Sequence, residues 1–223
     1  MKKDNSVRQI TVESVNSLSH GLGILFGVIC VPVLILLAHK NQHLSALTES
    51  VIYGCCFILL FTASSMYHGF NQPKLKQRLK ILDHISIYFL IAGTYTPVIL
   101  IYVNNTFGIT ILVILWCLTS VGVFFKLYFT GRFELVSTGI YLLMGWILFI
   151  GGKSFFNEMP TPLISLLTIG GVLYSIGVIF YLWKRYTYHH VIWHLFVLAA
   201  ASMSLWCYSN FSLIGHSSFH SID

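Results

Sequence analysis

The chain has 223 residues, of which 56% are hydrophobic and only 9% charged, with a mean hydropathy of +0.79. A soluble domain of this length carries about a quarter charged residues, so the composition excludes one and indicates a polytopic membrane protein. The formal net charge of +6 lies in short loops between apolar runs, which argues against a nucleic-acid surface and for the charge asymmetry that orients membrane helices.

Taken in order, the apolar runs are long and uninterrupted, which indicates helices and not the weak alternation of a membrane barrel. Met1 to Ser19 is polar, so no cleavable signal peptide is expected. Seven spans follow, at approximately 18–38, 47–68, 81–102, 108–127, 135–151, 162–183 and 190–209, each near the ~20 residues a bilayer requires. The first follows Glu13 and Asn16 and opens on His20; the second closes on Ser64 and His68. Asp83 and His84 open the third, and His190 and His194 open the last. Pro32 and Pro97 fall inside spans one and three as expected kinks. Gly21, Gly23, Gly27 and the pair Gly170 and Gly171 suit close helix packing. The five cysteines, at 30, 55, 56, 117 and 207, lie in apolar runs without C-x-x-C spacing, so they read as packing residues. Residues 1–223 read as one domain, without repeats.

Eleven of the thirteen Lys and Arg fall on one side of this seven-span path. The positive-inside rule then places the N-terminus in the cytoplasm and the C-terminus outside, in a multi-pass protein of the cell membrane. That path also brings His20, His68, Asp83, His190 and His194 to similar depth. The equally spaced pairs His39/His43 and His216/His220 fall on the opposite side, where a solvated role is expected.

On a helix, positions 190 and 194 present two imidazoles on one face, and His68 adds a third nitrogen from span two. Three protein ligands with one open position is the pattern of a catalytic zinc, whereas structural sites are closed by four. Ser64 shares the face of His68, four residues away. Asp83 suits either an acceptor that orients a ligand histidine or the N-cap of span three. Glu13, Asn16 and His20 are accessory candidates. His84 and His189 read as loop-facing, and Trp193 and Trp206 as anchors at the membrane interface.

The set Ser64-x-x-x-His68, Asp83 and His190-x-x-x-His194 resembles the motifs of the hemolysin III family. That family belongs with the adiponectin and progestin receptors and, more distantly, the alkaline ceramidases. Glu13-x-x-Asn16-x-x-x-His20 resembles its N-terminal motif; Asp83-His84-Ile85-Ser86-Ile87 with Ala92-Gly93-Thr94-Tyr95-Thr96-Pro97 resembles its third-helix signature. The resemblance implies seven helices around Zn2+ held by His68, His190 and His194, with Ser64 and Asp83 nearby.

The first functional expectation is a zinc-dependent hydrolase of a lipid amide or ester in the inner leaflet. Its partners are membrane lipids, and its lipid substrate enters between helices. The alternatives are a hemolysin-type pore-forming or membrane-perturbing protein, a non-catalytic sensor stapled by zinc, and a bis-histidine haem protein.

Overall fold

A computed structural model describes residues 2–40 and 44–213; His43, His216 and His220 lie outside the described residues. The elements are α1 (Lys2–Lys40), α2 (Leu44–Gly69), α3 (Pro73–Tyr102), α4 (Thr106–Phe129), α5 (Glu134–Gly145), α6 (Ile147–Gly151), α7 (Lys153–Phe156), α8 (Thr161–Leu182) and α9 (His189–Leu213). The long apolar runs leave the backbone to bond itself, and local chemistry sets the boundaries. Pro73 and Pro162 stand in the first turns of α3 and α8, where a missing N–H costs nothing. The side chain of Asn105 caps α4 by accepting from the Gly108 N–H at 3.0 Å.

Five helices, not the expected seven, are long and apolar enough among the described residues to cross a membrane. They are Ile10–Lys40, Ser50–Gly69, Pro73–Tyr102, Thr106–Phe129 and Thr161–Leu182. The fifth expected span, 135–151, breaks after Gly145, where a side chain meets the backbone. Tyr95 donates its hydroxyl to the Gly145 carbonyl, the group an unbroken helix would offer to the Phe149 N–H. Phe149 N bonds Trp146 O at 3.0 Å instead, and Gly152, at φ 52°, ends the next short helix. The seventh expected span is α9, whose apolar run is diluted by His189, His190, His194 and four serines. The expected orientation, cytoplasmic N-terminus and outside C-terminus, is counted over seven crossings and is left unconfirmed by five.

Other boundaries moved too. α3 begins at Pro73, so Asp83 lies well inside the helix and is not its N-cap. α1 runs continuously from Lys2 through Pro32 and carries Glu13, Asn16 and His20 on one face at steps of three and four.

α2 packs between α1 and α3, and α9 packs between α1 and α8. Tyr53, Phe57 and Phe61 on α2 and Tyr88 on α3 are buried. The rings of Phe57, Phe61 and Tyr88 lie against glycines of the neighbouring helices. A Cβ on Gly23 would meet Phe61 at 2.3 Å, one on Gly27 would meet Phe57 at 2.9 Å, and one on Gly122 would meet Tyr88 at 2.4 Å. Outward-facing Leu25, Ile29 and Leu36 on α1, Val121 and Phe124 on α4 and Ile179 on α8 are exposed. That inversion is what lipid contact requires, so this is a multi-span, all-helical membrane protein of the plasma-membrane type.

Gly122→Ala is expected to destabilise the fold by ~1–3 kcal/mol, because Tyr88 is also held against Tyr141, ring centres 4.5 Å apart. A thermal melt in detergent checks this. An unchanged midpoint would mean that Tyr88 yields freely.

Candidate functional site

A cavity of about 290 Å³ opens at the end of the bundle where α1, α2, α3, α5, α8 and α9 converge. His68 reaches it from the last turn of α2, and His190 and His194 from the first two turns of α9. One ring nitrogen from each lies within 4.8 Å of the other two. Their ring centres are 5.1 Å (His68–His190), 5.0 Å (His68–His194) and 4.5 Å (His190–His194) apart. His68 and His194 are buried and His190 half-buried.

The hydrogen bonds fix which nitrogen each ring can spare. His68 Nδ1–H donates to Glu13 Oε2 at 2.8 Å, which leaves Nε2 buried and without any partner. Ser19 Oγ donates to the Asn16 carbonyl at 2.8 Å and accepts from His194 Nδ1–H at 3.1 Å. The same N–H lies 3.3 Å from the Asn16 carbonyl. Two rings are therefore held by outer acceptors, with Nε2 lone pairs free, as in metal sites where a carboxylate or carbonyl orients the ligand. Lys76 Nζ completes the outer layer at 3.1 Å from Glu13 Oε2.

Other polar atoms on this cavity wall are also unpaired. Ser64 Oγ, Asn16 Oδ1 and both ring nitrogens of His20 are buried without a hydrogen-bond partner. The His20 ring sits 3.7 Å from that of His194, centre to centre. Ser64 does not bond back to its own helix as Thr94, Thr96, Thr119 and Ser120 do. Buried polar groups left open in this number call for an ion, water or a polar ligand. Three neutral imidazoles around one point suit a borderline-soft divalent ion, so the residues present fit zinc. They do not fit a bis-histidine haem, which needs two imidazoles on opposite faces of a macrocycle.

The sequence-derived candidates are thus brought together, with their roles redistributed. Glu13, not Asp83, is the acceptor behind a histidine. Asp83 lines the cavity without such a bond. His84 and His189, expected to face a loop, also line it. His84 Nδ1–H donates to the Lys80 carbonyl at 2.6 Å and His189 Nδ1–H to the Phe180 carbonyl at 3.2 Å. Trp193 is no interface anchor: it lies on the cavity wall and covers Gly177, where a Cβ would meet its ring at 2.8 Å. Ser19, Lys80, Glu134 and Lys184 were not anticipated. Ser19 had a signal, since it lies between Asn16 and His20 on the helix that supplies Glu13.

A second, apolar cavity adjoins the first, with Leu60, Ile87, Tyr141, Val178, Trp193 and Val197 lining both. It continues between α3, α5, α8 and α9 past Leu90, Leu167 and Tyr174. Gly170 and Gly171 line it and are not clamped by a neighbour: a Cβ on either would meet nothing closer than 3.5 Å.

The chain is similar to known proteins over most of its length. The family model described as Haemolysin-III related matches residues 8–205. The Hemolysin-3 homolog of Bacillus subtilis is 40% identical over 198 residues, 89% of this chain and 93% of that protein. Hemolysin-3 of Bacillus cereus is 40% identical over 195 residues, 87% and 89% of the two chains. The human Monocyte to macrophage differentiation factor is 27% identical over 166 residues, 70% and 68% respectively. No solved structure matches the chain.

Proposed function

The chain belongs to the haemolysin-III-related family, and from that footing we propose that it is a zinc-dependent hydrolase of a lipid amide or ester bond. The observation that carries the reading is that His68, whose Nε2 is buried and unpartnered, brings a ring nitrogen within 4.8 Å of one from His190 and one from His194. Zinc at such a point acidifies water and polarises a carbonyl.

The chain's own residues supply the remainder. His68, His190 and His194 are the ligands, the first braced by Glu13 and the last by Ser19 and Asn16. Asp83, on the same cavity wall, takes a proton from the attacking water and returns it to the departing amine or alcohol. Ser64 Oγ hydrogen-bonds the carbonyl oxygen as charge develops there. The acyl carbon gains a bond to oxygen, its bond to nitrogen or oxygen breaks, and a fatty acid leaves. The adjoining apolar cavity takes the chain, which enters sideways between helices in the leaflet on the lysine-rich side. The pore reading lacks a comparable feature, because no helix among the described residues carries charge along its length.

Purified protein with about one zinc per chain is expected to release fatty acid from at least one member of a lipid amide and ester panel. Ser64→Ala is expected to lower that rate about tenfold or more. A zinc-loaded preparation that leaves every lipid intact would remove catalysis and favour the stapled-sensor alternative.

A further inference from the structure

The mouth of the histidine cavity carries charges that the hydrolytic reading leaves unused. Lys80 on α3 and Lys184, just beyond α8, both approach Glu134 at the start of α5, one lysine to each carboxylate oxygen. Both separations are 3.8 Å. All three side chains line the cavity. At that distance the groups are charged neighbours without a formed hydrogen bond, so Glu134 offsets the lysines without saturating their donors.

A third lysine stands behind them. Lys126 on α4 is 1% exposed, its charged neighbours are Glu134 and Lys80, and no carboxylate lies within 4.0 Å of its ammonium among the described residues. Three lysines from three segments thus share one carboxylate. Asp83, one turn along α3 from Lys80, supplies a further negative charge deeper in the cavity, and the surplus at the mouth remains positive. A buried cation short of counter-charge is costly, and an arriving anion relieves it. Basic pockets between membrane helices bind phosphate-bearing headgroups for this reason. The mouth also opens toward the histidines and the apolar cavity, so a molecule seated here has its anionic end on the lysines and its acyl part inside.

We propose that Lys80 and Lys184 form a phosphate-recognition site that seats the headgroup of an anionic phospholipid, with Glu134 as the competitor the headgroup displaces. The proposal deepens the hydrolase reading by naming the substrate class, and rests on it only for what happens after binding. A tether and a binding site differ in one sign. If Glu134 only fastens the helices together, neutralising it weakens the protein and gains nothing. If it competes with a headgroup, neutralising it strengthens anion binding.

The test is lipid retention by the detergent-solubilised full chain, read by native mass spectrometry. The probes are phosphatidylglycerol, phosphatidylcholine and inorganic phosphate. Wild type is expected to prefer phosphatidylglycerol over phosphatidylcholine about tenfold. Lys80→Gln/Lys184→Gln should reduce that preference to about unity, and Glu134→Gln should raise phosphatidylglycerol affinity about threefold or more. Lys74→Gln/Arg78→Gln, which neutralises exposed charges of α3 away from the cavity, should change neither. Equal loss in that control would reduce the effect to diffuse surface charge and overturn the proposal. So would unchanged selectivity in the Lys80/Lys184 variant, which decides the matter even where Glu134→Gln expresses poorly. Inorganic phosphate that binds with the same lysine dependence and displaces the lipid at equal concentration would make the ligand a free anion and overturn the lipid assignment. Zinc content on the same samples separates the two readings. Lipid selectivity without metal would sink the hydrolase and spare this site; stoichiometric metal without selectivity would do the reverse.

Discussion

Replacing His190 and His194 together by Ala is expected to strip the metal from the protein, with zinc falling from about one per chain to a tenth of that or less. The reason is the geometry of the cluster. His68, His190 and His194 each bring one nitrogen to a common point, and α9 supplies two of the three. A lone His68 is a monodentate imidazole that competes poorly with water for a divalent ion. His20 does not rescue it by default, since its ring lies against His194 and its nitrogens are not among the three that meet. His39→Ala is the matched control, because His39 is exposed and outside the cluster. Metal analysis of detergent-purified samples with matching elution and melting profiles checks the outcome. Stoichiometric zinc in the double variant would mean that the proposed ligands are the wrong ones.

That cluster was legible in the sequence because two of its members belong to one helix. Positions 190 and 194 share a face by backbone geometry alone, and the apolar spans placed His68 at their depth. Azimuth was not legible. Depth put Asp83, Glu13 and His20 in the same layer, and nothing in the sequence said which carboxylate faces which ring. Asp83, 15 positions after His68, is the natural choice as acceptor from the sequence. Glu13 holds the position instead, because α1 starts before its apolar run and presents Glu13, Asn16 and His20 to α2 and α9. The break after Gly145 was equally hidden. An apolar window from 135 to 151 contains no residue that ends a helix outright, and the hydroxyl that takes the Gly145 carbonyl belongs to Tyr95, 50 positions away in the chain. Long-range side-chain competition for a backbone carbonyl leaves no local mark. Trp193 illustrates the same limit: a tryptophan near a span end fits an interface anchor, and only the gap over Gly177 turns it inward.

Glu13 and Asp83 are therefore expected to fail in different ways when neutralised. Glu13→Gln keeps an oxygen that accepts from His68 Nδ1–H but removes the charge that makes the imidazole a stronger donor to metal. Zinc affinity should fall about 10- to 100-fold, measured by competition with a chromophoric chelator. Asp83→Asn should hold zinc within about threefold of wild type, because no ligand histidine leans on Asp83, yet lower lipid turnover by about 10²-fold or more. Glu13 also pairs with Lys76, so lost affinity in Glu13→Gln has a rival cause in a loosened contact between α1 and α3. Lys76→Met separates them: it breaks that ion pair and leaves the bond between Glu13 and His68 in place. Zinc affinity close to wild type in Lys76→Met, beside a weak Glu13→Gln, assigns the effect to the imidazole. Equal weakening in both would make Glu13 a helix tether, and the buried Nε2 of His68 would then owe its orientation to packing alone.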